Sequence, residues 1–285
     1  MPEERTDRSG PRSWSWDPSL YAGSAEHYAV GRAPYPTALA DALQEALGLD
    51  GRGRLLDVGC GPGSLTLLLA PLFAEVVGVD ADPDMLVVAR RLAAAAGITT
   101  TTTWRHLRAE DLPADLPPVD VVTLAQSFHW MDQPRVAAVL RRLLVPGGTL
   151  VHVSATTHAG VPAERPLPHP EPPRAEIERL VTRYLGEERR AGQGLRPPGS
   201  GGAEDDVYRA AGFAGPELLT VPGRVVERTA EQVASSVLSL SSAAPHLFGD
   251  RLGAFEADLR QLLQRAAPDG RFAEQLAPTT LHLWR

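Results

Sequence analysis

Leu55-Leu56-Asp57-Val58-Gly59-Cys60-Gly61-Pro62-Gly63 sets three glycines and an acid around the end of a short apolar run. In an open α/β sheet, a loop that leaves a strand and opens a helix is where ligands are cradled. Glycine there lets backbone N–H groups approach a ligand with no side chain in the way. A second acid, Asp80, ends the next apolar run, Val76-Val77-Gly78-Val79. A carboxylate in that place accepts both hydroxyls of a ribose. Together the two sites predict a nucleoside-containing ligand lying across the C-terminal edge of two adjacent strands. A nicotinamide dinucleotide calls for Gly-x-Gly-x-x-Gly and a pyrophosphate at a helix N-terminus. Here the spacing is Gly59-x-Gly61-x-Gly63, and Ser64 stands three places after Gly61. Asp57 would also aim a carboxylate at the cradle, which is poor for a pyrophosphate and good for a cationic tail.

Other clusters fail as chemistry. Asp80-x-Asp82-x-Asp84 starts like a calcium loop, but Met85 stands where glycine is needed and Arg91 where glutamate is needed. The eight histidines show no metal-ligand spacing, and one cysteine, Cys60, excludes an intrachain disulfide and any cysteine-based metal cluster. No metal is expected. Cys60, inside the glycine loop, reads as a small packing residue.

The elements that must position these residues alternate. Leu55–Val58 and Val76–Val79 are strands, and Ser64–Phe73 and a segment starting at Pro83 are helices. The run Thr99–Thr103 with Trp104 is a third strand, Val119–Leu124 a fourth and Thr149–Val153 a fifth, with a helix over Gln133–Leu144. Strands alternating with helices of this length predict an α/β fold with a parallel sheet. Upstream, Tyr21 to Ala46 has helical spacing broken by Pro34 and Pro36. The alternation stops near Ala155, and six prolines follow between 160 and 173. Helices are then expected over Arg174–Glu188, in a short piece ending at Gly212, and over Thr229–Leu240 and Leu252–Ala266. Glu217–Val221, Val225–Arg228 and Thr279–Trp284 read as strands. The domain expectation is a mobile tail over 1–18, a ligand-binding core over 19–155, and a lid with the last strands of the sheet over 156–285.

Composition narrows the class. The chain has 285 residues, 43% hydrophobic, so it can bury a core. Its net charge of −7 argues against nucleic acid as main partner, which calls for a basic stripe. No apolar run approaches a membrane span, and the polar start has no signal-peptide core, so a cytoplasmic location is expected. Lys and Asn are absent and Ile occurs only at 98 and 177, a codon bias of a GC-rich genome that says nothing of function.

The motif Leu55–Gly63 resembles motif I of the class I S-adenosylmethionine-dependent methyltransferases. Later blocks match in order: Val77-Gly78-Val79-Asp80 with Pro83-Asp84-Met85-Leu86, then Ala109-Glu110-Asp111-Leu112-Pro113, Val119-Asp120-Val121-Val122, and Leu144-Val145-Pro146-Gly147-Gly148-Thr149-Leu150. The similarity covers roughly residues 25–155. A narrower one lies at Gln126-Ser127-Phe128-His129-Trp130-Met131-Asp132 and at Tyr28-Ala29-Val30-Gly31-Arg32-Ala33-Pro34-Tyr35-Pro36. Those segments are similar to a small-molecule branch that includes methyltransferase type 11 and trans-aconitate methyltransferases. Ala33 departs from the proline usual there.

The resemblance implies a Rossmann-like, seven-stranded, mostly parallel sheet with helices on both faces, and a mainly helical lid inserted in the C-terminal half. It implies S-adenosyl-L-methionine as methyl donor and S-adenosylhomocysteine as product. Gly59, Cys60, Gly61 and Gly63 would cradle the methionyl part and Asp57 would orient their loop. Asp80 would hold the ribose, with Ala81 and Met85 beside the adenine. Ala109 and Glu110 or Asp111 would address the adenine edge, and Gln126 would lie near the sulfonium. Tyr28 and Arg32 would close over the cofactor, with Arg32 a partner for its carboxylate. His129, just past strand four, is the candidate base or acceptor contact; the alternative is local hydrogen bonding beside a packed Trp130. A small, partly apolar acceptor is expected, with no nucleic acid or membrane partner, and the chain as a monomer or homodimer. The alternatives are an RNA or protein methyltransferase, and a non-catalytic regulator that binds the same cofactor.

Overall fold

A computed structural model describes residues 17–98, 100–187 and 203–285. The expected tail, with Trp14 and Trp16, lies largely outside these residues, as do Arg189-Arg190 and the Gly/Pro-rich stretch 192–202. The helices are α1 (Ala25–Gly31), α2 (Thr37–Leu47), α3 (Ser64–Leu69), α4 (Pro83–Ala95), α5 (Gln133–Leu143), α6 (Arg174–Leu185), α7 (Ala203–Ala210), α8 (Ala230–Leu238), α9 (Pro245–Phe248) and α10 (Leu252–Ala266). The strands are β1 (Arg54–Val58), β2 (Glu75–Asp80), β3 (Thr101–His106), β4 (Val119–Ala125), β5 (Leu144–Ser154), β6 (Glu217–Val221), β7 (Val225–Thr229), β8 (Arg271–Gln275) and β9 (Thr279–Trp284).

Seven strands form one sheet in the order β3-β2-β1-β4-β5-β9-β6, in which β9 is antiparallel to both neighbours and the other pairings are parallel. The chain winds outward from β1 to β3 and then returns to β4 on the other side of β1. That reversal opens a crevice beyond the C-terminal ends of β1 and β4, where open α/β sheets bind ligands.

Period-two alternation separates the two apolar layers. Leu55, Val76, Val121 and Val151 pack with α2 and α3 through Leu39, Leu43, Leu65 and Leu69. Their neighbours Leu56, Val77, Val122 and Leu150 pack with α5 and with Tyr208 of α7. A third cluster has no part of the sheet: α6, α8, α9 and α10 bury Leu180, Val237, Phe248, Phe255 and Leu259 together. This is the expected helical lid, while α7 belongs to the sheet layer.

Among the differences from expectation, two concern how strands pair. Strand five begins at Leu144, and its pairing with β4 breaks between Val119 and Val121 around the Pro146-Gly147-Gly148 excursion. Val225–Arg228 does not complete the main sheet. It pairs with β8 as a separate two-stranded ribbon inside the lid. β8 is not evident from the sequence because Arg-Phe-Ala-Glu-Gln carries a glutamate, Glu274, where a strand normally buries an apolar side chain; here it is 3% exposed and paired to arginines.

α1 joins the halves. Gly31 packs so closely on α8 that a Cβ would stand 2.2 Å from Ser236 N. Ala25 meets Met85 and Val88 of α4 on the core side.

Candidate active site

The glycine loop is fixed by its neighbours before any ligand arrives. Gly59 and Cys60 both donate their backbone N–H to the Val79 carbonyl, at 2.9 and 3.0 Å. Gly59 has φ +68°, and a Cβ on it would meet the Ser127 Cβ at 2.5 Å. Gly61 has φ +54° and nothing within 4 Å of a would-be Cβ, so it faces open space in the crevice.

Asp57 and Asp80 then differ in kind. Asp57 is 1% exposed, and its carboxylate accepts from Thr66 Oγ1 on α3 and, at 2.8 Å, from Thr123 Oγ1 on β4. It therefore ties the loop to the helix and strand on either side, and burial raises its carboxyl against those hydrogen bonds. Asp80 accepts the Gly61 N–H at 2.7 Å and the Asp82 N–H at 2.8 Å. Burial lifts its carboxyl to about 6 against the pull of those two donors. Each oxygen keeps a second lone pair toward the crevice.

Two adjoining cavities occupy that crevice. One, of about 780 Å³, is bordered by Asp80, Ala81, Met85, Ala109 and Glu110 on one wall and Gln126, Trp130 and Met131 on another. Leu20 and Tyr21, ahead of α1, and Tyr28 complete it. Tyr21 lies edge-on to Trp130 at 5.7 Å and to Tyr28 at 6.4 Å, giving the cavity aromatic walls. The second, of about 400 Å³, is bordered by Asp57, Cys60, Ser64, Arg32, Tyr35 and Thr157. Tyr28, Gly59, Gly61 and Ala125 border both, so the spaces are two ends of one elongated site.

Twelve of the expected residues therefore converge: Tyr28, Arg32, Asp57, Gly59, Cys60, Gly61, Asp80, Ala81, Met85, Ala109, Glu110 and Gln126. Gln126 carries backbone strain at φ +56° and donates from Nε2 to the Tyr35 hydroxyl at 3.2 Å. Glu110 accepts the Asp132 N–H at 2.8 Å and lies 3.5 Å from Arg108 Nε, so its carboxylate fixes the wall. Arg32 stacks over Tyr28 at 4.4 Å and is held by the lid, donating from Nε to Ser239 Oγ at 2.8 Å and from Nη2 to the Ser239 carbonyl at 3.0 Å. Burial and the nearby Asp80 and Asp57 carboxylates push the Cys60 thiol up.

Three expected residues stand outside the walls. Gly63 is buried, with Trp104 Cη2 2.7 Å from a would-be Cβ, so it serves helix-to-strand packing. Asp111 is exposed, one place past the wall that Ala109 and Glu110 form. His129 is exposed and borders neither cavity; its ring rests on Trp130 at 4.6 Å. The short 3₁₀ turn Phe128–Trp130 directs Phe128 to the core, Trp130 to the cavity and His129 outward. Sequence reasoning missed Leu20 and Tyr21, whose only signal was a pair of apolar residues just ahead of a helix.

Comparison with known proteins agrees with this geometry. Residues 55–148 match the model of a methyltransferase domain. A solved structure described as a candidate type II methyltransferase of Anaeromyxobacter dehalogenans superposes with TM-score 0.51 and 26% identity, over 88% of this chain and 95% of that one. Residues 55–148 are thus similar to a methyltransferase domain. An uncharacterized methyltransferase of Mycobacterium tuberculosis is 39% identical over 135 residues, 47% of this chain and 51% of its own length. Trans-aconitate 2-methyltransferase of Mycobacterium ulcerans is 28% identical over 150 residues, 52% of this chain and 51% of its own. The chain thus spans about half the length of these relatives. No helix among the described residues is long and apolar enough to cross a membrane.

Proposed function

We propose that this protein transfers a methyl group from S-adenosylmethionine to a small-molecule acceptor. The observation that carries the reading is the elongated double cavity, with Asp80 at one end, Arg32 and Asp57 at the other, and the open face of Gly61 between them. The residues fit such a donor. A buried carboxylate raised to about 6 is matched by hydroxyl groups that donate to it. Ala81, Met85 and Trp130 offer apolar faces to a purine. Arg32 offers charge to a carboxylate.

S-adenosylmethionine supplies a methyl group on a sulfonium that is already activated, so the chain's task is to position and to exclude water. Asp57 holds the loop between α3 and β4, Tyr28 and Tyr21 cover the crevice, and the Arg32–Ser239 contact keeps the lid over it. No histidine among the described residues borders either cavity, so no base is assigned.

Small-molecule acceptors are favoured over nucleic acid by the net charge of −7 and by the likeness to trans-aconitate 2-methyltransferase. Methyl-labelled S-adenosylmethionine, incubated with the protein and a cell extract separated by size, provides the test. Label should appear in the small-molecule fraction. Label confined to RNA or protein would replace the acceptor class, and donor binding without turnover would leave a regulator.

A further inference from the structure

Gln126 leaves β4, the central strand of the sheet, in a left-handed backbone at φ +56°, which is unfavourable for a glutamine. Such strain persists where the neighbours over-determine it. Here Ala125 ends β4, and Ser127 Oγ donates to the Val58 carbonyl at 2.7 Å, which ties the next residue to the end of β1. The Gln126 side chain then borders the larger cavity, while its Nε2 reaches the Tyr35 hydroxyl at 3.2 Å on the border of the smaller one.

Tyr35 is a fixed partner. It stands between Pro34 and Pro36, its ring packs against the apolar layer of α2 and α3, and the Pro34 carbonyl accepts from Arg224 Nη2 at 2.6 Å. Burial pushes the Tyr35 hydroxyl up, so it keeps its proton at pH 7. An amide carries its oxygen and its nitrogen on separate arms, so the arm that donates to Tyr35 turns Oε1 the other way. Among the described residues no donor reaches that oxygen, and it is not sealed from solvent. Its lone pairs are therefore open to the cavity, beside Ala125, which borders both spaces.

We propose that Tyr35 is a positioning residue: by holding the Gln126 amide, it keeps an uncommitted carbonyl oxygen turned to the joint of the two cavities, where it favours a sulfonium over an uncharged thioether. The inference rests on the methyl-transfer reading, in which the joint between the Asp80 end and the Arg32 end receives the donor's sulfur. S-adenosylmethionine and S-adenosylhomocysteine differ there by one methyl group and one positive charge. A carbonyl oxygen attracts that charge and the polarised methyl hydrogens, and it finds nothing comparable on the thioether. Without the Tyr35 hydroxyl the amide is free to turn, and its N–H groups compete with its oxygen for the same place.

Calorimetric titration of the full chain with S-adenosylmethionine and with S-adenosylhomocysteine reads the ratio of the two affinities. Tyr35→Phe should lower the preference for S-adenosylmethionine by about two- to fivefold, the worth of one weak C–H···O contact, and leave S-adenosylhomocysteine affinity as in the wild type. Gln126→Leu should lower the ratio similarly, and it carries the test should Tyr35→Phe not fold. Tyr35→Phe added to Gln126→Leu should change the ratio no further, since the hydroxyl acts only through the amide. A hydroxyl that merely braces the loop would weaken both ligands alike, and that result overturns the inference. An unchanged ratio overturns it too, as does a ratio that rises, which would turn the amide nitrogen and not its oxygen to the cavity. Failure of the parent reading is distinct: the wild-type protein would then bind neither ligand.

Discussion

The sheet half and the lid half bury charge by opposite means. Around the glycine loop, Asp57 and Asp80 are each held by neutral donors, two threonine hydroxyls in one case and two backbone N–H groups in the other. In the lid, Glu274 is held by two arginines, and Arg228 goes on to bind the carbonyls of Gly31 at 2.7 Å and Thr157 at 2.9 Å. Neutral donors leave a carboxylate with spare capacity and a raised pKa, ready for a ligand. Paired charges are spent on one another and on docking. A buried ion network is weak evidence for added stability, but breaking it by removing one partner is costly. On the proposed reading, the sheet half recognises the ligand and the ion cluster holds the helical half on α1.

Glu274→Ala should produce the largest effect, because it leaves two guanidiniums without their counter-charge. A loss of about 3–5 kcal/mol is expected in urea unfolding, centred on the lid and detectable as early hydrogen exchange in α6 and α8. Full stability in this variant would break the contrast between the halves.

Next come two glycines of the loop, which separate packing from recognition. Gly59→Ala meets the Ser127 Cβ at 2.5 Å and should cost about 2–3 kcal/mol of stability. Gly61→Ala meets nothing within 4 Å, so only the left-handed backbone is penalised, by about 1–2 kcal/mol. Its larger consequence should be weakened donor affinity, because the new methyl group enters the crevice. Equal effects of the two variants on folding and binding would erase that division.

Much of the sheet half was legible because its signals are local. Apolar runs such as Val76–Val79 alternate with a proline-started helix at Pro83, and an acid stands at the end of β2 and one place before the end of β1. The lid was legible only as helices. Arg174, Arg228 and Glu274 are separated by many residues and lie in ordinary polar surroundings in the sequence, so only the fold shows them as one cluster. His129 shows a related limit of spacing: it locates a residue after β4, but the turn Phe128–Trp130 decides which of its side chains borders the cavity, and that is Trp130.

Asp80 sharpens the comparison through pH. Its folded carboxyl is raised to about 6, so its contribution to stability is present below the unfolded value near 3.9 and is lost as pH rises through 6. A ligand that donates hydroxyls to the ionised form reverses that penalty. Donor affinity should therefore fall by up to about tenfold per pH unit below 6, measured as Kd from pH 7 to pH 5. The smallest effect is expected at Cys60, whose buried and raised thiol should be alkylated only on unfolding.

Calorimetric titration with S-adenosylmethionine, comparing wild type with Asp80→Ala, tests the central claim most directly. Micromolar binding that Asp80→Ala abolishes while the variant keeps its fold is the predicted result. A folded wild-type protein that binds no S-adenosylmethionine would contradict the account.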